Sequence, residues 1–515
     1  MKVSVATWKW VFSALALVLI LCFPMTGSAE QKGDVVVATA YPMFYQVGGD
    51  PATHMAGLPL VNQTMFERVV EVKLDGKSLI PALSKTWKTS PDWKFIELNL
   101  RDDVPFHNGE IVTAEDVKYS IDTYMRSDLR YVHGKLWQRN IKEVVAESPT
   151  KVKIYMNTPD PGLLGRLWWG AGIFPKKYRE KVGDKGFAEN PIGAGPFKWV
   201  GYKQDQWWQV EAVKKHYRKT PDIKTFKLVY VVEPSTRLAM LQAREVDITE
   251  LSMSNVPAVK GSKDLRIVYS RYPSMTNLIF TDLRVPEEKS PFMDKRVRTA
   301  ASLAIDRKTI CEKVLFGSAE PYGEILAPIT LGFDPNVKPD PYDPERAKKL
   351  LTEAGFPKGF KTTLSTTPAL KYWVEAVAAN LTEVGIETKV DIYEGGTWQE
   401  TVFAHKLRGL MTSGAWNHAE VNGAADMSDW LSVMPWSYYT PPEVDKVITD
   451  GLAAIEDKDV IAADKKISKT IRDTQYRIIL WANHNPYGVG PKIKFWQPIT
   501  GSMPAASFEY MQANY

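Results

Sequence analysis

The stretch Pro191-Ile192-Gly193-Ala194-Gly195-Pro196-Phe197, running into Lys198-Trp199-Val200, constrains this chain more than any other. Two glycines stand two apart, bracketed by prolines, and an alternating apolar run follows. Gly reaches backbone angles closed to other residues. Pro fixes its own φ and biases its predecessor toward extended geometry. The pattern predicts a sharp turn feeding a strand. It does not predict a phosphate cradle, because neither G-x-x-x-x-G-K-S/T nor G-x-G-x-x-G is present at this turn.

The chain opens with Lys2 and Lys9, an apolar run from Val11 to Phe23, then Pro24 and Gly27-Ser28-Ala29 before Glu30. A basic start, a short apolar run and small residues at −3 and −1 describe a secretory signal peptide. Residues 1–29 are therefore expected to be removed after Ala29. The competing readings are a lipoprotein acylated on Cys22, disfavoured by the bulky Leu21 before it, and an uncleaved anchor. The mature chain is expected to be exported and soluble. Its single cysteine, Cys311, leaves no internal disulfide, and a chain of this length buries enough apolar surface without one. The charge of 65 Lys+Arg against 60 Asp+Glu is too balanced to argue nucleic-acid or membrane-surface binding. Seventeen Trp is a surplus that keeps an aromatic-lined pocket in play.

Along the mature chain, 34–40 reads as a strand, 41–60 as a Gly/Pro-containing loop suited to ligand contacts, and 61–70 as a helix start. Phe95 to Leu100 alternates as a strand, and Asn108-Gly109 is a turn dipeptide that makes its neighbour His107 a turn residue. Thr113 caps a helix with Asp116 three residues on, its apolar face being Val117, Ile121, Tyr124 and Met125. Lys151 to Met156 and Asn277 to Phe280 are further strands. Asp294 with Arg298, and Asp306 with Arg307, read as ion pairs and caps. Asp343-Pro344 through Gly355 and Pro357 reads as a complete capped helix. Strand 362–366, helix 373–384 and strand 387–393 suggest an α/β lobe with parallel strands.

Four of these blocks resemble the peptide/nickel-type (family 5, extended cluster C) solute-binding proteins of bacterial ABC transporters. They are 79–122, 191–248, 277–328 and 342–357, and they stand in family order. The second carries the P-x-G-x-G-P-aromatic turn. The third carries Asp294-Lys295-Arg296-Val297-Arg298 followed by Ala304-Ile305-Asp306-Arg307. Lys215-His216-Tyr217 stands where the family has an N-x-x-Y-like segment, and Ala243-Arg244-Glu245 where it usually has Gly-Glu. The resemblance implies an α/β, bilobal periplasmic-binding-protein fold with a third, smaller subdomain inserted in the first lobe. On that plan, 30–60, 190–273 and 488–515 form lobe I, 61–189 the inserted subdomain and 274–487 lobe II. The chain would cross between lobes near 270–280 and 484–492.

The mature chain lacks G-x-S-x-G, H-E-x-x-H and C-x-x-C, so no catalytic residue, cofactor or metal is expected. The resemblance places ligand contacts at Trp416, Asn417, His418 and Asn277, with Tyr45 and Met55 from the first loop. In peptide binders of the family an Asp soon after this Trp holds the α-ammonium; here Asn417 and His418 stand there, with Glu420 and Asp426 as the nearest acids. Trp436, like Trp430, Tyr438 and Tyr439, is either core or part of an aromatic pocket. The implied function is a periplasmic, monomeric component of an ABC importer. It would capture an oligopeptide or peptide-like ligand and deliver it to an inner-membrane permease. An oligosaccharide, opine or nickel-chelate binder is the alternative, His418 and His484 raising the nickel option, and an exported hydrolase is the reading from another class.

Overall fold

The turn at 191–197 delivers the strand Phe197–Lys203 to the edge of a seven-stranded sheet. The structure is a computed structural model that describes residues 33–40, 50–52, 64–73, 78–129, 131, 133–204, 206–415, 423–498 and 508–514. The spatial order of the first sheet is Arg266–Tyr269, Pro486–Val489, Ile248–Glu250, Asp34–Thr39, Thr225–Tyr230, Trp207–Ala212 and Phe197–Lys203. Asp34–Thr39 runs parallel to both neighbours and is the buried centre. A six-stranded sheet forms the second lobe, in the order Ala319–Pro321, Arg477–Asn483, Ser274–Phe280, Leu410–Ala415, Phe360–Thr366, Ile386–Ile392. Its last three strands are parallel, as the strand–helix–strand pattern there requires.

A four-stranded antiparallel sheet, Ser84–Thr89, Phe95–Leu100, Lys151–Met156 and Ile141–Ser148, falls in sequence between two strands of the first sheet. It is the third, smaller subdomain. The helix Ala114–Tyr124 packs on it, started by the expected capping box of Thr113 and Asp116. Its buried face includes Val117, Ile121 and Tyr124. In the second lobe the helix Pro344–Glu353 begins where Asp343 accepts from Arg346 N at 2.9 Å.

Gly193 and Gly195 are required for a reason other than turn geometry. A Cβ on Gly193 would stand 2.1 Å from the Met65 carbonyl oxygen, and one on Gly195 2.7 Å from the Met65 carbonyl carbon. Gly195 N donates to that same oxygen at 2.9 Å. Two backbones touch, and only glycine leaves room. His107 clamps the turn from the other side. Its N–H donates to Gly193 O at 2.8 Å, and its Nε2 bonds Gly195 O at 3.0 Å. Burial pulls the imidazole down to about 4, so it is neutral; Nε2 carries the proton and Nδ1 accepts from Gly193 N. His107 is thus more than a turn residue.

The segment that the turn touches differs from expectation. Thr64 and Met65 are helical, but a short strand follows at Val70–Val72, pairing with Leu79–Pro81. The bridge between Glu67 and Ile173 already holds the chain extended, so the helix does not continue to Val70. Glu67 itself is fully buried. Burial alone would raise its carboxyl, but Arg218, His216 and Arg68 hold it down at about 2. Arg218 meets Glu67 at 3.1 Å and Glu509 at 2.6 Å, tying residues near the C-terminus to the same hub.

The two Asp–Arg pairs are also rearranged. Asp294 caps its helix and pairs with Arg296 at 2.6 Å, while Arg298 donates to the carbonyls of Phe292, Met293, Thr474 and Gln475. Asp306 caps through Thr309 N, and Arg307 turns inward to Ile479 O and Ser302. Each Asp is a cap, and each neighbouring Arg is a carbonyl clamp. Among the described residues no helix is long and apolar enough to cross a membrane.

Gly195→Ala should force the two backbones apart and cost about 1–3 kcal/mol, the usual range for overpacking. Calorimetric melting reads this as a lower Tm, and an unchanged Tm would refute the contact.

Candidate functional site: the cleft between the two sheets

The chain passes between the two large sheets twice, and both passages are short. Arg266–Tyr269 leads through 270–273 into Ser274–Phe280, and Arg477–Asn483 leads through 484–485 into Pro486–Val489. The passages bond to each other. Ser270 N donates to Asn485 O at 3.1 Å, Asn485 N donates to Ser270 Oγ at 3.1 Å, and His484 Nδ1 meets Ser270 O at 2.9 Å. Asn483 Nδ2 reaches Ser274 Oγ and Asn485 Oδ1. Two adjacent antiparallel crossings of a few residues each, bonded to one another, are the arrangement a hinge uses.

Each sheet turns the carboxyl ends of its parallel strands toward these crossings. In the first, Asp34–Thr39 and Ile248–Glu250 end beside Pro486–Val489, Glu250 pairing with Tyr487. In the second, Leu410–Ala415 ends beside the start of Ser274–Phe280, Met275 pairing with Ala415. Ligands of open α/β sheets sit outside such carboxyl ends. At the first sheet's edge, Glu250 accepts from Thr39 Oγ1 at 3.2 Å and from Ala40 N at 3.4 Å. Burial raises its carboxyl, against the opposing pull of Arg237.

Of the residues expected to contact ligand, Tyr45, Met55, Trp416, Asn417 and His418 lie outside the described residues. Asn277 is fully buried in the second sheet, in register with Ser413 and Ile479. Its Oδ1 accepts from Arg477 Nη1 at 3.3 Å. Trp436 stands where the second lobe meets the inserted subdomain. Its Nε1 donates to Asp429 O at 2.7 Å, and its ring lies edge-on to His133, centroids 6.2 Å apart. His133 Nε2 meets Asp429 Oδ1 at 3.0 Å, and Arg139 Nη2 donates to Thr449 Oγ1 at 2.8 Å. These contacts bridge the subdomain and the second lobe and hold the two bodies together. Trp430 and Tyr438 are core residues. His484 is committed to the hinge carbonyl.

Sequence reading missed His133, Asp429 and Arg477. Nothing in the sequence joins the first two, which stand almost three hundred residues apart. Arg477 had a signal, since a charge opens the otherwise apolar strand Arg477–Asn483.

Asp464, on the helix Asp457–Thr474, holds the start of the short helix Gly423–Asp426. Gly332 N donates to its carboxylate at 3.1 Å, and the N–H groups of Gly423 and Ala424 face the same group. A Cβ on Gly332 would fall 2.1 Å from Asp464 Cβ. Burial pushes the Asp464 carboxyl up to about 6.

A profile of the family described as bacterial extracellular solute-binding proteins, family 5 Middle, matches residues 78–437. Heme-binding protein A of Haemophilus influenzae is 26% identical over 394 residues, 71% of this chain and 70% of that protein. The dipeptide-binding protein of Escherichia coli is 26% identical over 363 residues, 65% of this chain and 67% of that one. The solved structure of the periplasmic binding protein DppA from Helicobacter pylori, in complex with peptide STSA, superposes with a TM-score of 0.83 at 20% identity. It covers 92% of this chain and 97% of that one. The likeness confirms a bilobal binding-protein fold.

A carboxyl pushed up to about 6 from the ordinary Asp value of 3.8 means the native state binds this proton more tightly than the unfolded chain does. Stability from this group is present at low pH and is lost as pH rises from about 4 to about 6. Asp464→Asn should flatten that stretch of the stability–pH curve by about 2–3 kcal/mol. Denaturant melts at a series of pH values check it, and parallel curves for the two proteins would sink the assignment.

Proposed function

The chain belongs to the bacterial extracellular solute-binding proteins of family 5, and from that membership we propose that it captures an oligopeptide or peptide-like ligand between its two lobes and presents it to an ABC permease. The observation that supports this most is the pair of bonded crossings at 270–273 and 484–485, with the carboxyl ends of both sheets turned toward them. Such a hinge lets ligand favour the closed form through contacts that only that form completes. The family is one of binding proteins, not enzymes. The protein works outside the cytoplasm as a monomer, its leader removed after Ala29.

Trp416, Asn417 and His418 contact the ligand from the second lobe, and Tyr45 and Met55 from the first. No acid stands directly after Trp416, so ammonium recognition differs from that of the family's usual peptide binders. The His133–Asp429 and Arg139–Thr449 contacts contribute to closure.

Tripeptides should bind the purified protein stoichiometrically and without turnover, read by calorimetry with mass spectrometry of the recovered ligand. His133→Ala removes one closing hydrogen bond, worth about 1 kcal/mol, and should weaken tripeptide binding about fivefold. A protein that ignores tripeptides and carries a non-peptide ligand from its native compartment would overturn the peptide reading.

A further inference from the structure

The second lobe buries two arginines, Arg307 and Arg477, and half-buries a third, Arg298; Arg307 and Arg298 are satisfied in the same way. Arg307 donates to the carbonyls of Ile479, Ser302 and Ile305 and to Ser302 Oγ. Arg298 donates to four carbonyls. In the first lobe and its insert, Arg68 and Arg166 leave two nitrogens each unbonded, but each is paired with a carboxylate, Glu71 and Asp160. A buried cation is tolerated when it is paired or its hydrogen bonds are made.

Arg477 breaks this pattern. It is 3% exposed, its Nη1 donates to Asn277 Oδ1 at 3.3 Å, and its other polar neighbour is the Tyr476 hydroxyl. Its Nε has no partner, and no carboxylate pairs with it among the described residues. Beside it, the Nδ2 of Asn277 (0% exposed) lacks a partner, and the hydroxyl of Tyr476 (1% exposed) faces the guanidinium with its own O–H left to donate. A guanidinium N–H, an amide NH2 and a phenol O–H thus share one buried site, and each can donate. What the site wants is a single acceptor group carrying negative charge.

The surroundings connect this site to the cleft. The Trp430 ring covers the guanidinium, 3.9 Å from Cζ to the ring centroid. Trp430 ends the turn Met427–Trp430, and Asp429 of that turn is the residue His133 holds across the interface. The cover over Arg477 therefore belongs to the element that closure fastens. Asn277 lies in the strand next to Leu410–Ala415, which leads into the expected ligand segment 416–422.

We propose that Arg477, Asn277 and Tyr476 form an anion subsite that takes a carboxylate of the ligand under Trp430, Arg477 supplying the charge and Asn277 Nδ2 and Tyr476 Oη the remaining hydrogen bonds. This rests on reading the protein as a solute binder but not on the ligand being a peptide. A planar guanidinium matches a carboxylate's two oxygens better than a point cation does. Burial also holds the Arg477 guanidinium below its ordinary range, and a bound carboxylate reverses that.

The test is titration of the purified protein with acetate, with acetamide as the uncharged isostere and chloride as a plain halide, at fixed ionic strength. Thermal shift and Trp fluorescence are the readouts. Acetate alone should raise the Tm and change the fluorescence, and Arg477→Met should weaken the acetate response about 10- to 100-fold. Asn277→Asp places a carboxylate where Arg477 already points. It should raise the Tm and abolish the response to acetate, and it decides the matter if Arg477→Met does not fold. No acetate response in the native protein, an equal response to acetamide or chloride, or an acetate response that survives Asn277→Asp would each overturn the subsite. An acetate response with no tripeptide binding overturns the peptide reading and leaves the subsite standing. Tripeptide binding with no acetate response does the reverse.

Discussion

The contact on which the rest of the first lobe depends is backbone against backbone: Gly193 and Gly195 lying on the carbonyl of Met65. It brings the turn that opens Phe197–Lys203 onto the segment leading into the inserted subdomain. Charged groups surround it, and they are paired. His216 joins Ala194 O to Glu67. Arg218 joins Glu67 to Glu509. Three distant parts of the chain are thereby fixed to each other, and the inserted subdomain inherits a defined position on the first lobe. Removing one partner of such a buried network leaves an uncompensated charge, which costs more than the pair contributes.

That rigidity sets where motion can occur. The inserted subdomain is anchored to the first lobe through the hub, whereas the second lobe hangs on two crossings of a few residues each. The bonds there run from one crossing to the other, as between Ser270 and Asn485, so they travel with the hinge. The His133–Asp429 and Arg139–Thr449 contacts lie away from the crossings, where a small rotation produces a large displacement. They are well placed to separate on opening.

Much of the scaffold was legible because its signals are local. Thr113 with Asp116, Asp343 with Pro344, and the alternation of Phe95 to Leu100 each fix a few neighbouring residues by caps and periodicity, and each formed as read. The failures came where a distant partner decides. The stretch 64–70 has apolar residues enough for a helix, but its pairing with Leu79–Pro81 and Ile173 wins. Asp294 prefers Arg296, two residues on, because Arg298 is drawn to the carbonyls at Thr474 and Gln475. The glycines of the 191–197 turn were read as conformational devices, whereas the Met65 backbone is what demands them. The candidate site was less legible. Asn277 was singled out from its place in a resembled block, but the guanidinium beside it comes from a strand two hundred residues later. Only the charge at the head of an apolar run hinted at it.

The adjacency of Asp429 and Trp430 gives the proposed carboxylate subsite its mechanical meaning. A ligand shifts an open–closed equilibrium only by as much as it prefers one form. Contacts confined to a single lobe would be made equally in both forms and would shift nothing. Here Asp429 is fastened by His133 from the opposite body, and Trp430 covers Arg477 from the lobe's own side. An anion that settles the Arg477 guanidinium fixes the cover, and fixing the cover holds Asp429 where His133 can reach it. One short turn, Met427–Trp430, thus couples the ligand's charge to closure, and by reciprocity closure strengthens the hold on the charge.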